Sequence, residues 1–435
     1  MMEKVVKVGE VAKKIKEKIE NYDGLIRVIT HYDPDGLTSG AIMVKTLLRI
    51  NKKFHLTIVE HLSKEIIDEL VKEKQYNDAL FIFCDMGSGQ IEHLIENKFN
   101  AIILDHHQPK VKEVEVDGIL QLNPHIFGID GAREVSASGI CYMVARVFGF
   151  YDLSVLAITG AIGDMQHKPF IGLNKFILNE GREYRYLSII KDLIYHCYDI
   201  PIWEAITYST NPYIRELSNK EECLKFLKNL KIDPNKKELT HEEKQKLTNA
   251  LIFYRKPEDF IVDRYTIKHK VNDAYYLSEL LNACGRKGLT SVGIGVALED
   301  DECIKIAKET YLKYKRELIE ELKNVKPKKM KNIEYFKGKK GMVGIVASIL
   351  VKDRPVLGYH EEGEKVKISS RGNKELIDRG LNLGKVMEVA KEFGGEGGGH
   401  DVASGASLPK IHLDEFLKRV DEIVGEQLKS KSQFR

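Results

Sequence analysis

Acidic residues and histidines recur at four places in the chain, each directly after an apolar run. They are His31-Tyr32-Asp33-Pro34-Asp35-Gly36 after residues 25–30, Asp85 after 79–84, Asp105-His106-His107 after 101–104, and Asp164 closing Gly160-Ala161-Ile162-Gly163-Asp164. Carboxylate and imidazole donors gathered in this way suit hard or borderline divalent ions such as Mn²⁺ or Mg²⁺. Two such ions about 3.5–4 Å apart are a recurring device for cutting phosphate esters. The pattern therefore indicates a reaction class before it indicates a fold.

Each cluster also has a plainer explanation. Asp33-Pro34-Asp35-Gly36 is a common surface-turn composition. If the segment is extended, however, the alternation of His31, Asp33 and Asp35 places all three on one face, and Gly36 then permits a sharp turn into a helix. Asp85 could be a helix N-cap before Met86-Gly87-Ser88, but a carboxylate behind four apolar residues is better explained as a bridging metal ligand. Adjacent His106 and His107 after a buried strand cannot both face the core. One would ligate a metal and the other would contact a phosphate or its leaving group, with Asp105 orienting an imidazole from behind. Asp164 could likewise be an N-cap, and the small residues before it allow backbone to approach a metal centre closely. Four such clusters together favour the metal reading over four unrelated turns.

The elements that must position these groups follow from periodicity. Short β-branched or apolar runs at 25–30, 54–60, 79–84 and 101–104 read as strands. Helical patterns separate them at 40–50 and 64–74, and a surface helix is expected over 10–21. Strands alternating with helices predict a parallel sheet with crossover helices. Three of the four motifs fall at carboxyl ends of strands, where open α/β sheets bind ligands. The fourth follows 153–159, which reads as a helix or a helix-to-loop junction. Residues 175–320 read as mostly helical. The Lys/Glu-rich stretch 318–332, with Lys326-Pro327-Lys328-Lys329, reads as a linker, and Lys326 to Lys331 either tracks a nucleic-acid backbone or is simply solvated. Residues 341–350, 354–359 and 365–370, with a glycine-rich run at 393–407, read as a further β-containing unit. The run Gly394-Gly395-Glu396-Gly397-Gly398-Gly399-His400 is too glycine-rich for a regular element, and its backbone amides could converge on an anion.

The chain of 435 residues is long enough for two or three domains, and its net charge of +3 does not by itself mark a nucleic-acid binder. Cys84, Cys141, Cys197, Cys223, Cys284 and Cys303 are scattered without a Cys-x-x-Cys pair, which argues against a zinc ribbon. Several sit in apolar runs as small hydrophobes. No segment has the apolar length of a bilayer span, and residues 1–20 carry no apolar signal region. The expectation is a reduced, soluble, cytoplasmic protein with no membrane partner.

The order His-x-Asp-x-Asp-Gly, Asp, Asp-His-His, Gly-x-x-Gly-Asp resembles the DHH phosphoesterase superfamily. Gly397-Gly398-Gly399-His400 resembles the signature of the DHH-associated domain, and Ser369-Ser370-Arg371 the Ser-x-Arg element of its RecJ branch. Leu281-Asn282-Ala283-Cys284-Gly285-Arg286 is similar to a stretch of archaeal RecJ-like nucleases. Bacterial RecJ proteins usually begin the first motif with Asp where this chain has His31; that residue is as in archaeal members.

The resemblance implies an α/β protein in three parts. These are a parallel-sheet DHH domain over 1–185, a helical connecting region over 186–320, and a smaller α/β DHH-associated domain over 321–435, with the active-site cleft between the end domains. It implies two divalent ions, Mn²⁺ preferred and Mg²⁺ the alternative. Their ligands would be His31, Asp33, Asp35, Asp85, His106 and Asp164, with Asp85 bridging. Asp85, Asp105 and His107 would form the catalytic set. It also implies substrate contacts from Ser369, Arg371, Gly398, Gly399 and His400, Arg371 offering a planar fork to phosphate oxygens. Asn282 and Arg286, four apart on one face of an expected helix, either contact nucleic acid or simply close that helix.

The expected activity is a metal-dependent exonuclease acting on single-stranded DNA or RNA from an end, in DNA repair or replication. A nanoRNase or cyclic-dinucleotide phosphodiesterase is the nearest alternative, but those smaller enzymes lack the helical middle and the 281–286 motif. A replisome scaffold binding a GINS-type complex is the alternative from another class.

Overall fold

The run Ala79–Cys84 is buried at every position, as is Ala101–Leu104, the signature of strands covered on both faces of a parallel sheet. In the computed structural model, which describes residues 2–76, 79–194 and 200–430, they are β3 and β4 of a six-stranded sheet. Its other strands are β1 (Leu25–His31), β2 (Phe54–Val59), β5 (Glu115–Val116) and β6 (Ile119–Leu122). The order is β2-β1-β3-β4-β6-β5, parallel throughout except for the β5–β6 pair. Ile29, Phe81, Phe83, Phe99, Ile103 and Leu94 share one apolar cluster on this sheet. The chain places β2 on one side of β1 and then crosses back to place β3 on the other. The strand order therefore switches between β1 and β3, which opens a crevice at their carboxyl ends.

The chain folds as two units: Met1–Ile194 with Ile261–Leu312, and Tyr195–Phe260 with Lys313–Arg435. Residues 186–320 are mostly helical and are divided between the two. They also hold a two-stranded antiparallel ribbon, β7 (Leu187–Leu193) with β8 (Ile261–Ile267).

The second unit has its own six-stranded sheet. Its strands are β9 (Lys328–Lys329), β10 (Glu334–Lys337), β11 (Val356–Glu362), β12 (Lys365–Arg371), β13 (Glu396–Gly399) and β14 (Ala403–Pro409), in the order β13-β14-β12-β11-β10-β9. Leu357, Val366, Ile368, Leu408, Phe416 and Val420 lie in its core.

Two expectations fail here. The stretch 318–332 is not a linker: the helix Asp301–Asn324 continues to Asn324 and buries Leu318, Ile319 and Leu322. Lys328 and Lys329 then pair as β9 against β10. The Lys/Glu-rich composition masks a narrow apolar stripe at helical spacing. The glycine-rich run is also regular, for Glu396–Gly399 pairs in register with β14. A ladder needs only backbone groups, and a side chain at Gly397 would overlap the Met387 carbonyl.

Cys84, Cys141, Cys223 and Cys284 are buried free thiols and Cys303 is partly exposed. Cys197 lies outside the described residues. Among those residues no helix is long and apolar enough to cross a membrane.

Candidate metal centre

Seven sequence-predicted residues meet at the β1/β3 crevice: His31, Asp33, Asp35, Asp85, His106, His107 and Asp164. They form three overlapping groups in which one ligating atom from each residue lies within 4.8 Å of the others: His31/Asp33/Asp85, Asp85/His106/His107 and Asp35/His106/Asp164.

The first motif does not present its residues as an extended segment would. β1 ends at His31, and Pro34 opens the helix Pro34–Arg49 with Asp33 as its N-cap, Oδ1 accepting from the Gly36 amide at 2.9 Å. A proline at the first helical position and an Asp cap are both locally favoured, so Asp35 is already helical. A side chain at Gly36 would come 2.5 Å from His31. Asp35 is fully buried, and the first amides of the helix Ala137–Val147 hold it: Ala137 N donates to Oδ2 at 2.7 Å and Ser138 N to Oδ1 at 3.0 Å. A helix N-terminus is a ready carboxylate seat.

Asp85 is not an N-cap. It ends β3 in the left-handed region at φ +60, an uncommon conformation for a non-glycine residue and one that concentrates at functional sites. Its oxygens face opposite groups. Oδ2 lies 3.2 Å from His31 Nδ1, and Oδ1 lies 3.4 Å from His106 Nε2. Oδ1 is buried and accepts no hydrogen bond.

Asp164 caps the carboxyl end, not the amino end, of the helix Ser154–Gly163, and its Oδ2 lies 3.4 Å from His106 Nε2. The glycines before it are sterically required. A side chain at Gly160 would overlap Ser138, Asp35 and Thr38, and one at Gly163 would come 2.7 Å from Pro34 Cβ.

Asp105, buried at the end of β4, ties the site together. Oδ2 accepts from Ser88 N at 3.0 Å, and Oδ1 accepts from His106 N, His107 N and the His107 ring. His107 is therefore anchored yet leaves 53% of its side chain exposed.

The electrostatics are those of a site with too much negative charge for its surroundings. Burial and the neighbouring Asp85 raise the Asp35 carboxyl to about 6. Burial and Asp35 raise Asp164 well above the carboxylate range. Burial opposes charge on His31, yet hydrogen bonds to Asp33 and Asp85 prevail and raise it to about 11. Burial likewise works against charge on Asp85, but His106 and His31 hold it low. The imidazoles here balance charge that a divalent cation would balance better. The orphaned Asp85 Oδ1 and the all-oxygen-and-imidazole donor set fit hard or borderline divalent ions.

Asn282 and Arg286 lie on the helix Ala274–Arg286 in the same unit. The Arg286 guanidinium sits 6.0 Å from the Tyr32 ring centroid, and its Nη1 is 3.4 Å from the Tyr32 hydroxyl. A side chain at Gly285 would overlap the Tyr32 carbonyl, so this helix packs directly on the His31–Asp33 turn. Sequence reasoning did not single out Tyr32, although it stands inside the first motif.

Ser369, Arg371, Gly398, Gly399 and His400 lie together in the other unit. Arg371 pairs with Ala403 across β12 and β14, Gly399 pairs with Ser404, and His400 N donates to Ala403 O at 3.0 Å.

Comparisons with known proteins agree with this geometry. The DHH family N-terminal domain matches residues 25–161 and the DHHA1 domain matches 330–426. The chain belongs to the DHH family and is RecJ-like, and it shares the phosphoesterase fold of that superfamily. It is 62% identical over 431 residues to the uncharacterized protein MJ0831 of Methanocaldococcus jannaschii, covering 99% of this chain and all of that one. It is also 35% identical over 168 residues to the single-stranded-DNA-specific exonuclease RecJ of Thermus thermophilus. That match spans 36% of this chain and only 24% of the exonuclease. Among solved structures, CDC45 from Entamoeba histolytica superposes with a TM-score of 0.67 at 12% identity, over 96% of this chain and 99% of that one. Thermus thermophilus RecJ in complex with Mn²⁺ gives 0.59 at 20% identity, over 96% and 55%.

Proposed function

We propose that this protein is a two-metal phosphodiesterase that degrades single-stranded DNA or RNA from an end. The observation that carries the reading is Asp85, whose two oxygens face His31 on one side and His106 on the other. His31 and Asp33 would serve one ion, Asp35, His106 and Asp164 the other, and Asp85 both. Ions bound there would activate a water as nucleophile and neutralise charge building on the phosphate. Mn²⁺ is the preferred ion in this reading and Mg²⁺ the alternative; Thermus thermophilus RecJ has been solved in complex with each.

The chain's own groups supply the rest. Asp105 fixes His107 through Nδ1, which leaves Nε2 available to a phosphate oxygen or leaving group. Burial disfavours charge on His107, but Asp105 outweighs it and keeps the ring readily protonated, as a donor to an anionic oxygen must be. Tyr32 within the first motif and Arg286 against it line the place where an adjoining nucleotide would lie. Ser369, Arg371, Gly398, Gly399 and His400 form the proposed phosphate grip of the DHH-associated domain.

The relative named as a single-stranded-DNA-specific exonuclease supports the substrate class. The whole-length likeness to CDC45 favours a second reading, a scaffold docking on a GINS-type replication complex. Metal content separates the two. Equilibration with Mn²⁺ followed by desalting and elemental analysis gives two ions per chain in the enzymatic reading. A chain that retains none, yet folds, supports the scaffold.

A further inference from the structure

His106 belongs to two of the three ligand groups, so its ring orientation affects both. That orientation is set from behind. His106 Nδ1 lies 2.7 Å from the Gly131 carbonyl oxygen. A carbonyl only accepts, so Nδ1 carries a proton, and Nε2, which faces Asp85 and Asp164, is the nitrogen left to ligate an ion.

The same carbonyl oxygen accepts a second hydrogen bond, from Gln166 Nε2 at 3.0 Å. Gln166 in turn accepts from Asn174 Nδ2 at 2.7 Å through its Oε1, which leaves its amide one consistent orientation. Asn174 is fixed by its own backbone, N donating to Glu134 O at 2.8 Å. Gln166 and Asn174 are both buried. Gly131 can come this close only because it has no side chain: a Cβ there would overlap the His106 carbonyl oxygen and lie 2.9 Å from His125 Nε2.

Gln166 also stands two residues after Asp164, beyond Met165 in the left-handed region at φ +59. One side chain thus connects two ligands of one group, Asp164 through the chain and His106 through the carbonyl it braces.

We propose that Gln166, itself braced by Asn174, is a positioning residue for the metal centre, holding the Gly131 carbonyl that sets the tautomer and aim of His106. This rests on the metal-centre reading above. Partners behind a metal-bound histidine are worth about 10–100-fold in metal affinity. A glutamine that merely satisfied a buried carbonyl would contribute to stability and nothing to affinity.

The test is calorimetric titration of the full chain with Mn²⁺, for wild type and Gln166→Met, together with the thermal midpoint of each in chelator. Methionine keeps the length and volume but cannot donate to Gly131. The expected result is two sites in both proteins, with the affinity of the His106-containing site reduced about 10–100-fold in the variant. Asn174→Ala keeps Gln166 and removes only its brace; it should weaken the same site by a smaller factor and serves if Gln166→Met does not fold. A lowered midpoint in chelator with wild-type Mn²⁺ affinity in the folded variants overturns the positioning role alone. A wild type that binds no Mn²⁺ overturns the metal centre and the inference with it.

Discussion

Asp105 and His107 form a hydrogen-bonded pair, with Oδ1 of Asp105 2.7 Å from Nδ1 of His107. The same carboxylate accepts the backbone amides of His106 and His107. The pair separates the two adjacent histidines by role: His106 turns inward toward Asp85 and Asp164, and His107 stays at the surface on a fixed anchor.

His107→Ala should therefore keep its metal. The expected variant binds Mn²⁺ with wild-type stoichiometry and turns over roughly 10²–10⁴-fold more slowly, the usual range for a positioned acid or base. Loss of one metal equivalent, measured by elemental analysis, would make His107 a ligand instead.

Asp85→Ala should behave differently. Neither oxygen of a bridging carboxylate can be replaced without losing the spacing between the ions. Hydrolysis should vanish at every Mn²⁺ concentration, and metal content should fall. Appreciable turnover at saturating Mn²⁺ would remove Asp85 from the bridging role.

Much of this site was legible in the sequence because each ligand motif ends an apolar run, and parallel strands place such ends together. Asp85, Asp105 and His106 are where β3 and β4 stop. What the residue types did not disclose was local backbone. The alternation of His31, Asp33 and Asp35 suggested a strand, but the Asp33 cap and Pro34 start the helix before Asp35, which a strand reading keeps extended. The left-handed turn at Asp85 and the overlap that demands Gly131 have no signature in a single sequence. The helix ending at Asn324 was hidden because its apolar stripe is thin beside its lysines and glutamates.

A histidine outside the ligand set gives a pH dependence. His167 is buried against Phe170 and Tyr275, and its Nδ1 makes no hydrogen bond. Burial, with a smaller push from Lys168, lowers it from 6.5 to about 4. At neutral pH it is uncharged in both the folded and the unfolded chain and contributes no pH dependence. Between pH 6.5 and 4 the unfolded chain takes up the proton more readily, so stability falls as pH falls. The full window is worth about 3 kcal/mol. Urea unfolding in chelator at pH 7 and pH 4 should show His167→Phe losing less stability than wild type by about that amount. Equal losses would mean that His167 is not held neutral.

The DHH-associated domain makes a separate prediction. If Arg371 grips phosphate as proposed, Arg371→Ala would remove a charge-assisted contact made in ground and transition states alike. KM for a labelled oligonucleotide should rise with a smaller change in kcat. The deficit should be largest at low salt and shrink as salt rises, because one fewer phosphate contact lessens salt dependence. Unchanged KM, or lost Mn²⁺, would contradict the grip.

The most direct test of the account is digestion of single-stranded DNA and RNA oligonucleotides, labelled at either end, with product lengths read over time in Mn²⁺. A two-metal exonuclease should shorten the strand progressively from one end, stop in chelator, and leave Asp85→Ala inert. A wild-type protein loaded with two Mn²⁺ that leaves both strands intact, or cuts them internally, would contradict it.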